Sequence, residues 1–172
     1  MNDNSKSNDQ TEHMPAYQLQ QLSQLIDEVR QCCEDKQFIE IEEFGLPYAE
    51  IRCLMLFGGE RYLTVKGISE RLEVAKSRVT KIVNSINEKG LAERAADPSD
   101  GRVRLLRLTP AGHEIVERIT AFQKQIQIKI LEKLDPSDRR RVISGLELLR
   151  AAMQEAKIEM ESTMRDHASG VK

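Results

Sequence analysis

The strongest constraint on the fold is a change of periodicity in the middle of the chain. Apolar residues first recur at the three- and four-residue steps of α-helices, interrupted only by Glu73-Val74. They then fall in two short runs on either side of Asp97 to Gly101, a cluster of turn-forming residues. The sequence thus predicts helices from Val65 to Leu72 and from Ala75 to Lys89, and strands from Leu91 to Arg94 and from Val103 to Leu108.

The order of these predicted elements defines a compact motif. Two short helices with so brief a connection fit a helix-turn-helix, and Gly90 is the expected left-handed stop of the second helix. A two-stranded hairpin that follows at once makes the motif a winged helix. The side chains predicted to turn inward from the second helix are Val79, Ile82, Val83 and Ile86.

Longer helical patterns flank this motif on both sides. The first begins at Pro15 and is followed by a looser stretch from Phe38 to Leu46, and a second helix follows Pro47. Thr109-Pro110 and Asp135-Pro136 each combine an N-cap with a proline at the first helical position, which predicts helices to about Leu134 and about Met164. The predicted fold class is therefore mainly α with a small two-stranded β wing.

The flanking helices carry apolar stripes that the small motif cannot cover. The simplest partner for these stripes is a second copy of the chain, which predicts a homodimer. The N-terminal stripe includes Leu19, Leu22, Ile26, Val29 and Cys33. The predicted division is a disordered tail at 1–14, a dimerisation helix and connection at 15–46, a winged helix-turn-helix at 47–109, dimerisation helices at 110–164 and a frayed tail at 165–172.

The distribution of charge favours an anionic partner for the motif. The whole chain has a formal net charge of -2. Between Thr64 and Arg107, however, it carries ten Lys or Arg and six Asp or Glu, a net of +4 inside an acidic frame. The second helix of a helix-turn-helix enters the major groove by its N-terminal part. The residues predicted to face DNA there are Lys76, Ser77, Arg78, Thr80, Lys81 and Asn84.

The hairpin strengthens this interpretation, because Arg94, Arg102, Arg104 and Arg107 concentrate positive charge on a protruding element. An arginine at a wing tip can enter a minor groove, and Asp100 is placed to orient Arg102. The predicted DNA-binding residues on the hairpin are thus Arg94, Asp100, Arg102 and Arg104. The alternative is a solvated basic helix face and a hairpin whose arginines pair with its own acids.

The segment from Leu63 to Val116 resembles the winged-helix core of MarR-family transcriptional regulators. The resemblance is carried by EKGLAER (Glu88 to Arg94), DPSDGR (Asp97 to Arg102) and LTPAG (Leu108 to Gly112). It implies a homodimer that binds double-stranded DNA at a near-palindromic operator, with Arg102 as the wing arginine and Asp100 as its supporting acid. It also implies release by a small-molecule effector, whose identity the sequence does not give. One departure is Ala75, where such helices often begin with Ser or Thr.

Other functions find less support in the residues. Cys32 and Cys33 are candidates for redox sensing, against the default that Cys33 packs on the apolar stripe. A winged helix that has become a protein-interaction adaptor is a further alternative. We expect no enzyme, because no glycine-rich phosphate loop, nucleophile elbow or metal-ligand cluster is present, and hence no metal or cofactor. No apolar stretch is long enough to span a membrane, so a cytoplasmic protein is expected.

Overall fold

The computed structural model describes residues 14–96 and 104–169, with the side chains of 14–95 and 105–165. The chain divides into two compact units, Met1–Thr120 and Ala121–Lys172. Its elements, in chain order, are α1 (Ala16–Phe44), α2 (Tyr48–Met55), β1 (Leu63–Thr64), α3 (Val65–Leu72), α4 (Lys76–Glu88), β2 (Ala92–Ala96), β3 (Arg104–Leu108), α5 (Pro110–Glu132) and α6 (Pro136–Ser169).

Helix α1 is longer than the sequence pattern predicts. The stretch from Phe38 onward, predicted to be looser, stays helical to Phe44. It contains neither Gly nor Pro before Gly45, and the Lys36–Glu40 ion pair, 3.3 Å between Nζ and Oε1, supports the helix across the turn before Phe44. Gly45 then ends the helix in the left-handed region at φ 63°, and its N–H donates to the Ile41 carbonyl.

The helix-turn-helix is confirmed as predicted, within one residue at each end. Its turn is built by Glu73, which takes the left-handed conformation at φ 54°. The Ser69 hydroxyl donates to the Val74 carbonyl at 2.7 Å and closes the turn from the α3 side. Gly90 is left-handed at φ 69° and ends α4, also as predicted.

The wing belongs to a three-stranded antiparallel sheet rather than to an isolated hairpin. Its strand order is β1-β3-β2, with Leu63 opposite Leu106 and Ala92 opposite Leu108. The two-stranded prediction missed β1 because a two-residue strand has no periodicity of its own. Its pairing depends on β3, which lies about forty residues later in the chain.

The core of the first unit lies between α2, α3, α4, the sheet and the start of α5. The four inward-facing residues predicted on α4 are all buried. They pack with Ile51, Leu54, Ile68, Leu106 and Ile119. On α5, Ile119 is fully buried and Ile115 is half-buried.

The α5 start is anchored to the wing through Thr109 and Gly112. The Thr109 hydroxyl accepts from the Gly112 N–H at 3.0 Å, which confirms the predicted N-cap, and donates to the Gly90 carbonyl at 2.6 Å. Gly112 has no room for a side chain, because a Cβ there would lie 1.8 Å from the Leu91 carbonyl oxygen. Helix α5 and the wing are therefore in backbone contact.

The second unit contains the end of α5 and the long helix α6. Helix α6 runs to Ser169, so residues 165–169, predicted as part of a frayed tail, are helical. The Arg139 Nε donates to the carbonyls of Leu131 at 2.8 Å and Leu134 at 3.0 Å, and so caps the end of α5. Among the described residues, no helix combines the length and hydropathy that a membrane span requires.

Candidate nucleic-acid interface

Helix α4 presents one apolar and one polar face. Val79, Ile82, Val83 and Ile86 are buried, and this fixes the rotation of the helix about its own axis. The opposite face is exposed, and it includes all the residues predicted to meet DNA. They are Lys76, Ser77, Arg78, Thr80, Lys81 and Asn84.

The basic side chains of this face have no acidic partner among the described residues. Within residues 14–95 and 105–165, the side chains of Lys76, Arg78 and Lys81 have no hydrogen-bond or ion-pair partner. The only acid of the helix, Glu88, is its last residue, at the end away from these cations. Three such cations on the first half of a helix have the chemistry that suits phosphates and the acceptor edge of guanine.

Asn84 is engaged with the wing. Its Oδ1 accepts from the Arg94 Nη2 at 2.6 Å, so this hydrogen bond joins β2 to α4. A bidentate contact of Asn84 with adenine would need that oxygen to be free. In the arrangement seen here, Asn84 orients Arg94 beside the helix.

The wing residues divide into three groups. Arg107 pairs with Glu93, which lies opposite it in the sheet register, at 2.7 Å between Nε and Oε1. Arg107 therefore pairs with an acid of its own hairpin, as in the alternative to a DNA-binding role. Arg104 begins β3 and only its backbone is described, and the predicted pair Asp100 and Arg102 lies outside the described residues.

A buried polar cluster, which sequence reasoning missed, ties α4 to α2. The Glu50 side chain is only 6% exposed, and its carboxylate accepts from the Ser85 hydroxyl at 2.8 Å and pairs with the Lys89 ammonium at 2.5 Å. Ser85 lies in the last turn of α4, and Lys89, four residues later, is its C-cap. Because an unpaired buried carboxylate is costly, this cluster fixes where the recognition helix sits. Nothing in the sequence spacing links position 50 to positions 85 and 89.

The N-cap of α4 is Ala75, where the related helices often have Ser or Thr. No side chain caps it, in contrast to α3, whose Thr64 hydroxyl accepts from the Gly67 N–H at 3.0 Å. The first amides of the recognition helix are therefore left for an external acceptor, a role that a DNA phosphate fills well.

The three cysteines are in different environments. Cys53 is fully buried in the core, and this burial, together with the nearby Glu50 carboxylate, raises the pKa of its thiol to about 12. It is therefore a packed, unreactive thiol. Cys32 and Cys33 are both exposed on α1. The neighbouring Arg30 guanidinium is held by Glu34 at 2.6 Å and by Asp27 at 3.6 Å. No cluster of His, Cys, Asp or Glu suited to a metal ion occurs among the described residues.

Comparison with known proteins agrees with this geometry. Residues 44–103 match the model of the MarR family. The chain is similar to the uncharacterised HTH-type transcriptional regulator YdgJ of Bacillus subtilis, with 22% identity over 78% of this chain and 76% of that protein. It is also similar to the HTH-type transcriptional repressor IacR of Pseudomonas putida, with 26% identity over 63% of this chain and 65% of that protein.

The fold is shared with solved structures. FabT of Streptococcus pneumoniae, solved in complex with DNA, superposes with a TM-score of 0.70 at 22% identity, covering 78% of this chain and 99% of FabT. The curated relatives are named as transcriptional regulators, which agrees with the prediction of a regulator rather than an enzyme. The chain thus shares the winged helix-turn-helix fold of these proteins, and over residues 44–103 it is similar to the MarR family of transcriptional regulators.

Proposed function

We propose that the chain acts as a homodimeric repressor that binds a near-palindromic operator and is released by a small-molecule effector. The observation that carries the proposal is the exposed face of α4, on which Lys76, Arg78 and Lys81 have no partner among the described residues. In this proposal residues 47–109 bind DNA, and residues 15–46 and 110–164 form the dimer.

The DNA-binding residues take distinct roles in the proposal. Lys76 and Lys81 contact phosphates, Arg78 reaches guanine, and Ser77 and Thr80 bond phosphates or base edges. Arg94, held by Asn84, lies on the wing side of the helix. Arg102 enters the minor groove from the wing tip with Asp100 as its supporting acid, and Arg104 adds charge to the wing.

A dimer is supported by apolar surface that one copy of the chain leaves exposed. Single exposed apolar residues are ordinary, but long contiguous stripes mark an interface. Those on α1 are Tyr17, Leu19, Leu22, Leu25, Val29, Phe38 and Ile39, and those on α6 are Val142, Ile143, Leu146, Leu148, Met153, Ile158, Met160 and Met164. A two-fold dimer places its recognition helices on half-sites about 34 Å apart, one helical turn of DNA, or a multiple of that.

Repression is supported by the similarity of the chain to IacR, which is named as a repressor. DNA binding is supported by the fold shared with FabT, which was solved in complex with DNA. The effector is unidentified. A ligand that binds the DNA-incompetent arrangement of the dimer more tightly than the competent one releases the operator, and its effect is limited by that difference in affinity.

The exposure of two thiols supports a second candidate for the signal, oxidation of Cys32 or Cys33. The test is the double replacement of Cys32 and Cys33 by Ser, which abolishes any peroxide-induced release of DNA if these thiols are the sensor. If peroxide still releases DNA from the double variant, Cys32 and Cys33 are not the sensor. The cations on α4 that have no partner among the described residues favour DNA binding over the alternative of a protein-interaction adaptor.

The experiment that tests the proposal is fluorescence anisotropy with the full chain. A duplex selected from a random pool by the wild-type protein is compared with a scrambled duplex at two salt concentrations. We expect a symmetric selected sequence and binding that weakens with salt. Arg102→Ala and Lys81→Ala lower the affinity, while sedimentation shows that both variants remain dimers. Equal affinity for selected and scrambled DNA refutes an operator-specific regulator.

A further inference from the structure

A groove runs along the side of α4 that faces away from the wing. It has a volume of about 340 Å³ and lies between α2, the helix-turn-helix turn and α4. Its lining is apolar at Leu72, Val74 and Ile82, with Tyr48 at its α2 end. Two arginines, Arg52 of α2 and Arg78 of α4, flank the apolar lining.

Arg52 differs from most lysines and arginines of the first unit because its guanidinium has no ion-pair or hydrogen-bond partner among the described residues. Within the described part of that unit, residues 14–95 and 105–120, most lysines and arginines have a partner. Arg71 pairs with Glu60, Lys89 with Glu50, and Arg94 with Asn84. Arg52 is exposed and has no such partner among the described residues. The nearest acid along α2, Glu50, is already occupied by Ser85 and Lys89.

Two further arginines in that range, Arg61 and Arg118, lie over the rings of Tyr62 and Phe44. The lysines and arginines in that range with no hydrogen bond, ion pair or ring contact to a described residue are Arg52, Lys76, Arg78 and Lys81. Three of them form the proposed DNA-contacting face of α4, and Arg52 shares a groove with one of those three. A charge left unpaired beside a DNA-binding surface is available for the same polyanion. Arg52 thereby extends the basic face from α4 onto α2.

The two long sides of α4 are each bordered by a cation. On the wing side, Thr80 and Val83 line a smaller hollow with Arg94, Leu105 and Leu106. On the other side, Arg78 and Ile82 line the groove with Arg52. A helix inserted in the major groove lies between two phosphate backbones. Cations on both sides of α4 can therefore each meet the phosphates of one DNA strand.

We propose that Arg52 binds a backbone phosphate of the DNA strand that borders α4 on the side away from the wing. This proposal rests on the proposed function and adds α2 to the DNA interface. A phosphate contact fixes the register of the protein on the duplex and carries no sequence information of its own. Arg52 therefore contributes affinity to every duplex equally.

The test compares Arg52→Ala with wild type on the selected duplex and on a mixed-sequence duplex of equal length. Each phosphate contact contributes about 0.9 to the slope of log affinity against log salt. Losing one contact thus lowers affinity roughly eightfold at 0.1 M salt and roughly fourfold at 0.2 M, for each protomer that touches DNA. We expect the same loss on both duplexes, and partial recovery in Arg52→Lys because phosphate accepts a point charge.

Two controls make the result specific. Lys6→Ala removes the same charge from outside the residues assigned to DNA binding and to the dimer, and it is expected to leave affinity and salt slope unchanged. Circular dichroism checks that Arg52→Ala, a change at an exposed position, remains folded. Lys81→Ala serves as the reference for the proposed α4 interface.

The outcomes separate the two proposals. If Lys81→Ala weakens binding and Arg52→Ala changes neither affinity nor slope, the Arg52 contact is refuted and the α4 interface stands. If Arg52→Ala weakens only the selected duplex, Arg52 reads a base and the phosphate contact is refuted. If the wild type binds no duplex at low salt, the proposed function fails together with this one.

Discussion

The contact between α5 and the wing makes Gly112→Ala a severe perturbation. A Cβ at this position would lie 1.8 Å from the Leu91 carbonyl oxygen, 2.9 Å from its carbon and 3.2 Å from the Leu108 Cδ2. Ordinary contact begins near 3.4 Å, so Leu91 or α5 would have to move by about 1.6 Å. Two of the three obstructing atoms are backbone and have no rotamer to change.

The cost follows from what this movement breaks. Overpacking of a tight site costs about 1–3 kcal/mol. The movement also strains the hydrogen bonds of Thr109 to the carbonyls of Leu91 at 3.1 Å and Gly90 at 2.6 Å, each worth about 1 kcal/mol. We therefore expect Gly112→Ala to lower the free energy of unfolding by about 3–5 kcal/mol.

The assay is urea unfolding followed by circular dichroism at one fixed protein concentration, because dimerisation would make stability concentration-dependent. Gly145→Ala is the matched control, since Gly145 lies inside α6 and a Cβ there would have no neighbouring atom within 4 Å. This control is expected to gain about 0.5–1 kcal/mol from helix propensity. A Gly112→Ala variant within about 0.5 kcal/mol of wild type would refute the close-contact argument.

Three further predictions concern the helix-turn-helix and its supports. Glu73→Gly should raise the free energy of unfolding by about 1 kcal/mol, because glycine adopts the left-handed φ of 54° without a Cβ clash. Glu50→Gln should lower it by about 1–3 kcal/mol, because the ammonium of Lys89 loses its charged partner. Between pH 9 and 12 the Cys53 thiol ionises in the unfolded chain but not in the folded one, so stability falls as pH rises. Cys53→Ala removes this contribution, up to about 1.4 kcal/mol per pH unit.

Each of these has a control in the same protein. Glu70→Gly, inside α3, should destabilise, and a loss in Glu73→Gly as well would show that its backbone strain is not relieved. Glu42→Gln, on the exposed surface of α1, should change stability little, and an equal effect of Glu50→Gln would contradict the buried cluster. An unchanged alkaline slope in Cys53→Ala would contradict the assignment of that slope to the buried thiol.

Much of the fold was determined by the sequence alone, because its signals are local. The apolar spacing of α4 sets which face is buried, and hence which face carries Lys76, Arg78 and Lys81. Gly90 and the Thr109-Pro110 pair mark helix ends through backbone conformation and capping, which depend on adjacent residues.

What only the tertiary structure decided involves residues far apart in the chain. The pairing of β1 with β3, the engagement of Glu50 with Ser85 and Lys89, and the approach of Gly112 to Leu91 leave no periodic mark, because each depends on where separate elements meet. The same holds for charge. The number of cations can be read from the sequence. Whether a cation such as Arg52 is neutralised depends on which acids the fold brings within a few ångströms, because Coulomb attraction falls with distance in space and not with separation along the chain.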